Sequence, residues 1–134
     1  MNSSRGLPQL LLVEPDFLLR RTVASVAREL GLAQVQEATS LDRAALELAR
    51  VPFDAILVSL DPEGEALKYL EGLRRGNCLS DSATPVAVTA DGCDAGLAMR
   101  LRELDVRRLL LKPFKVKGVV ETIAGLCADA KALA

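Results

Sequence analysis

Asp54-Ala-Ile-Leu-Val-Ser-Leu-Asp61 is the stretch that decides the fold. Its core, Ala55 to Val58, is wholly apolar, too short to be a helix of its own, and preceded by Pro52-Phe53. It runs into Asp61-Pro62-Glu63, where the spacing predicts Asp61 as a helix N-cap, Pro62 as the first helical residue and Glu63 in the first turn. A short apolar run feeding directly into a helix reads as a strand buried on both faces, the centre of a parallel sheet. Ligands and chemistry collect at the carboxyl ends of such strands. Ser59 and Asp61 therefore stand at a candidate functional rim.

Towards the amino terminus, Gln9-Leu-Leu-Leu-Val13 is another apolar strand, followed by Glu14-Pro15-Asp16. Asp16 opens a helix with Leu19, Val23, Val26, Ala27 and Leu30 on one stripe, Arg20, Arg21, Arg28 and Glu29 off it, and Gly31 as its stop. Ala33 to Ala38 alternates imperfectly and reads as an edge strand. Thr39-Ser-Leu-Asp42 has the form of a capping box, and its helix is expected to bury Leu41, Ala44, Ala45, Leu48 and Ala49.

Towards the carboxyl terminus, a helix from Pro62 to about Arg75 points Ala66, Leu70 and Leu73 inward, and residues 76–84 form a polar loop. Pro85-Val-Ala-Val-Thr89 is a fourth strand. A helix over Asp94–Leu104 buries Leu97, Ala98, Leu101 and Leu104. Arg107–Leu111 is a fifth strand before Lys112-Pro113-Phe114. The last helix carries Val116, Val119, Val120, Ile123, Leu126 and Cys127 at 3.6-residue spacing. Five βα units predict an α/β domain, a five-stranded parallel sheet with helices on both faces. Right-handed crossovers leave few topologies, and the flavodoxin-like order 2-1-3-4-5 fits best. The domain is expected over residues 7–130, with short tails at 1–6 and 131–134.

With 134 residues, half of them hydrophobic, the chain suits one globular domain. A net charge of −1 argues for neither nucleic acid nor membrane partners. No apolar run approaches the ~18 residues of a membrane span, and a cytoplasmic location is expected. Histidine is absent, which excludes histidine general bases, histidine phosphotransfer from this chain and histidine metal sites. Cys78, Cys93 and Cys127 are widely spaced and odd in number, so neither a disulfide framework nor a zinc site is expected.

The predicted topology brings several strand ends together: Glu14 and Asp16 from the first, Ser59 and Asp61 from the third, Thr89 from the fourth, Lys112 from the fifth. Carboxylates can hold Mg²⁺, while a hydroxyl and an ammonium can neutralise phosphoryl oxygens. Each residue also has a structural reading. Asp16 and Asp61 are credible N-caps, Thr89 can cap its strand, and Lys112 can anchor an ion pair with Glu14. Arg100, Arg102, Arg107, Arg108, Lys115 and Lys117 interleave with Glu103, Asp105 and Glu121, as on a salt-bridged surface.

Leu-Leu-Val-Glu-Pro-Asp (11–16), Phe-Asp-Ala-Ile-Leu-Val-Ser (53–59), Thr-Pro-Val-Ala-Val-Thr-Ala (84–90) and Leu-Lys-Pro-Phe (111–114) together resemble the receiver domain of bacterial two-component response regulators. In receivers an acidic pair binds Mg²⁺ and an aspartate ending the third strand accepts phosphate from a histidine kinase. By this resemblance Glu14 falls on the first acid, and Pro15 replaces the second. Ser59 stands at the phosphoacceptor position, with Asp61 as the alternative. Thr89 and Lys112 match the switch hydroxyl and the lysine, and Leu109 takes the place of the switch aromatic.

The departures point to an atypical, pseudo-receiver type. Serine without a base is a poor nucleophile. Losing two anionic positions at ~1.4 kcal/mol each would weaken Mg²⁺ about a hundredfold. Glu14 and Asp16 then offer at most a weak Mg²⁺ site, and no other cofactor and no enzymatic activity are expected. The resemblance implies a signalling partner, a histidine kinase or a downstream effector. It also implies a homodimer face over Asp94–Leu104, Arg107–Leu111 and Val116–Cys127. The alternative is a working phosphoacceptor at Asp61 with Mg²⁺-dependent autodephosphorylation.

Overall fold

A computed structural model describes residues 6–133. The strands are β1 (Gln9–Val13), β2 (Gln34–Ala38), β3 (Ala55–Ser59), β4 (Val86–Ala90) and β5 (Arg108–Leu111). The helices are α1 (Phe17–Glu29), α2 (Leu41–Arg50), α3 (Glu63–Arg74), α4 (Ala95–Glu103) and α5 (Val116–Leu133). All strand pairs are parallel, in the order β2-β1-β3-β4-β5. This is the expected flavodoxin-like architecture, with β3 central and β2 at an edge. Every residue of β3 and of β4 is buried, as apolar runs covered by helices on both sides require.

Period-two alternation splits the core into two layers. Leu11, Val13, Ile56, Val58, Val86 and Val88 pack with Leu48, Leu70, Leu73, Leu97 and Leu101 from α2, α3 and α4. Leu10, Leu12, Ala55, Leu57 and Ala87 pack with Val23, Ala27, Val119, Ile123 and Leu126 from α1 and α5. The parity that matters is the second. Two residues beyond Leu12, Leu57, Ala87 and Leu110 come Glu14, Ser59, Thr89 and Lys112. All four therefore emerge at the carboxyl end on the α1/α5 side.

Several local expectations shift. Pro62, not Asp61, is the N-cap of α3, in extended conformation and without a side-chain cap bond. Asp61 sits one residue too far back for its carboxylate to serve the first amides, and it is exposed. Glu63 and Glu65 complement the helix dipole instead. Ser40 rather than Thr39 caps α2, its Oγ accepting from the Arg43 amide at 3.2 Å. Ala45 and Ala49 of α2 and Ala98 of α4 are exposed, because α2 and α4 present only narrow stripes to the sheet. Leu30 and Val116 are 57% and 56% exposed, lying where α1 and α5 overrun the core. Arg20, expected off the apolar stripe of α1, is buried. Residues 131–133 continue α5. The expected tail at 1–6 falls, apart from Gly6, outside the described residues.

Candidate functional site

The rim is built around a buried carboxylate. Glu14 follows β1, is only 4% exposed, and divides its two oxygens. Its Oε1 pairs with Lys112 Nζ at 3.0 Å, the ion pair anticipated from the sequence. Its Oε2 accepts the Asp16 amide at 3.1 Å. Lys112 also donates to Ser59 Oγ at 3.2 Å. One ammonium thus ties the end of β1 to the end of β3 and carries β5 with it. With both groups mostly shielded from solvent, an effective dielectric near 20 makes the Coulomb attraction about 5.5 kcal/mol at this separation, before desolvation is subtracted.

Ser59 is buried beside Thr89, its register partner on β4. Thr89 does not cap its strand: its Oγ1 is buried with no hydrogen-bond partner among the described residues. An unmade hydrogen bond of this kind costs about 1–3 kcal/mol. Leu109 lies on the other face of β5, 37% exposed beside Leu101 of α4, with no polar atom to reach the rim.

Asp16 acts as the N-cap of α1, its Oδ1 accepting from the Leu19 amide at 2.9 Å. Both oxygens of Glu14 and one of Asp16 are therefore already engaged, and Ser59 Oγ is an acceptor for Lys112. This donor set does not fit Mg²⁺, which needs several free oxygens in near-octahedral array. Among the described residues no group of three or more His, Cys, Asp or Glu side chains could share a metal ion. At Glu14, where with Asp16 a weak Mg²⁺ site is expected, the Lys112 ammonium lies against the carboxylate.

Outside the rim, Asp16 and Lys112 border a groove of about 570 Å³ whose apolar wall includes Leu18, Leu19, Pro113 and Phe114. The basic residues near α4 and β5 are partly neutralised. Arg100 pairs with Glu71 and, at 3.2 Å, with Glu103. Arg107 pairs with Asp105 at 3.6 Å and Lys117 with Glu121 at 3.9 Å. All three cysteines are free thiols, and burial pushes Cys127 above its ordinary value, with Asp54 adding to the effect.

Sequence reasoning missed Arg20 and Glu37. Arg20 Nη1 donates to the Glu14 carbonyl at 3.0 Å, and its Nε pairs with Glu37 at 3.3 Å. Arg21 and Arg28 join the same carboxylate at 2.9 and 3.1 Å. The available signal was three arginines of one helix facing an edge strand whose only acid is Glu37.

No protein-family model matches this sequence, and comparison with curated proteins found no match. A response regulator from Thermotoga maritima is 20% identical with a TM-score of 0.78, the match covering 91% of this chain and 98% of that one. A CheY-like receiver domain protein from Methanospirillum hungatei reaches a TM-score of 0.83 at 13% identity, covering 96% of this chain and 100% of that one. A structure described as adenylate cyclase from Rhodopirellula baltica is 21% identical with a TM-score of 0.80, covering 95% and 92%. Identities this low speak to architecture. The chain has the fold of response-regulator receiver domains.

Proposed function

We propose that this chain is a receiver-type domain of two-component signalling, in which the phosphoacceptor position is held by Ser59 and signalling proceeds through protein–protein contact rather than enzymatic activity. One observation carries the reading: Lys112 bridges Glu14 and Ser59 at 3.0 and 3.2 Å, with no aspartate ending β3. A phosphoaspartyl switch needs an anionic nucleophile and a metal to bridge it to the incoming phosphoryl. Here a neutral hydroxyl stands in the nucleophile's place, and the Lys112 ammonium beside it is already paired with Glu14. The likeness in fold supports partners of the two-component kind, a histidine kinase or a downstream effector. For self-association the favoured face is that of α4, β5 and α5, where Met99, Leu109, Leu111 and Val116 are exposed. Among the described residues no helix is long and apolar enough to cross a membrane.

The test is incubation with Mg²⁺ and acetyl phosphate or beryllofluoride, read by intact mass and amide NMR. No adduct and no metal-dependent shift are expected. Stoichiometric, hydroxylamine-labile modification of Asp61 would overturn the reading in favour of a working phosphoacceptor. The double substitution Pro15→Asp, Ser59→Asp is expected to introduce Mg²⁺ binding, seen as a saturable shift at the ends of β1 and β3.

A further inference from the structure

Two cations reach Glu14 from different ends of the residue. Lys112 takes its carboxylate at 3.0 Å, while Arg20 takes its carbonyl at 3.0 Å. Arg20 is 7% exposed and its Nε is committed to Glu37, so its guanidinium is held from both sides. Glu37 is heavily subscribed, because Arg21 and Arg28 share its other oxygen. One carboxylate on the edge strand thus restrains three guanidiniums. A planar guanidinium takes a carboxylate in bidentate fashion, which an ammonium cannot do. Arg20 touches Glu14 at its carbonyl, and its guanidinium carbon lies 5.5 Å from the Phe17 ring centroid.

We propose that Glu37 is a positioning residue for the rim: by keeping Arg20 on the Glu14 carbonyl, it leaves the Glu14 carboxylate to Lys112. Loss of the Glu37 charge turns Arg20 into a competitor and releases Lys112 from Glu14. The exposed β2 edge and the Ser59–Lys112 pair are then coupled through a single buried arginine. This deepens the proposed function, since it takes the rim as a site governed by Lys112 rather than by metal and phosphate. The two fail separately, because the experiment below uses neither phosphodonor nor Mg²⁺.

The readout is the ¹⁵N-edited NMR signal of the Lys112 ammonium, whose proton exchange is slow only while it is paired. Glu37→Gln is expected to speed that exchange about fivefold, the scale of a competing partly buried ion pair. Adding Arg20→Met to Glu37→Gln removes the competitor and should return exchange to about the wild-type rate. Unchanged exchange in Glu37→Gln, or failure of the second substitution to restore it, overturns the proposal. A merely structural Glu37 would lower the melting temperature in both variants without this reversal. Should circular dichroism show Glu37→Gln unfolded, Arg21→Met with Arg28→Met leaves Glu37 wholly to Arg20. Exchange should then be no faster than wild type, and faster exchange counts against the proposal.

Discussion

A carboxylate as buried as that of Glu14 has to be paired, and Lys112 is what pairs it. Removing one member leaves the other charge without compensation in a medium that solvates it poorly. Lys112→Met is accordingly expected to destabilise the fold by about 3–5 kcal/mol in urea titration, whereas Glu14→Gln combined with Lys112→Met should cost far less. Similar losses for the single and the double variant would mean that the pair contributes little. At this scale the sequence was informative about residues next to strand ends, because period-two parity and the Lys-Pro-Phe motif fix where those side chains emerge. It was silent on Arg20. A guanidinium is buried only if acceptors arrive from elsewhere, and those acceptors are the Glu14 carbonyl and Glu37, six and seventeen residues away.

Helix starts separate what local chemistry decides from what it does not. Asp16 and Asp94 cap α1 and α4, each accepting from an amide three residues on. The two misplaced caps, Asp61 and Thr39, are each one residue early. At Thr39-Ser40 the sequence offers two capable residues and the backbone selects the second, whereas at Asp61 the extended Pro62 takes the cap position without a side-chain bond. Ser40→Ala should therefore cost about 1 kcal/mol in chemical denaturation, while Thr39→Ala should stay within about 0.5 kcal/mol. A reversed ranking would restore the capping box first read from the sequence. Hydrophobic stripes behave likewise. They identify every helix but overcount its contacts, since Ala45, Ala49 and Ala98 follow the period without reaching the sheet.

For the molecule as a whole, the carboxyl-end rim is matched by a clamp elsewhere. Arg74, closing α3, donates to the carbonyls of Leu104 at 2.8 Å, Ser82 at 2.9 Å, Thr84 at 2.7 Å and Asp105 at 3.3 Å. It fastens the loop before β4 to the turn before β5, where Asp105 holds a positive φ of 54°. Burial lowers its pKa from the usual arginine value, and Asp105 partly offsets this. Arg74→Met would strip four carbonyls of their shared donor. A loss of about 2–4 kcal/mol in the unfolding free energy is expected, and Arg74→Lys should recover only a small part, because an ammonium cannot span the same fork. Full recovery by lysine would reduce the clamp to a simple charge effect.

By itself the sequence determined the alternation of strand and helix, the sheet order and the presence of Glu14, Ser59, Thr89 and Lys112 at one rim. These follow from periodicity and handedness, which act over short distances along the chain. Only the tertiary structure decided that both Glu14 oxygens and one of Asp16 are spent on Lys112 and backbone amides, that Thr89 Oγ1 has no hydrogen-bond partner among the described residues, and that Arg20 and Glu37 stand behind the rim. The physical reason is that a polar side chain's role is set by which other groups reach it first. Those groups arrive from elements that only folding brings together.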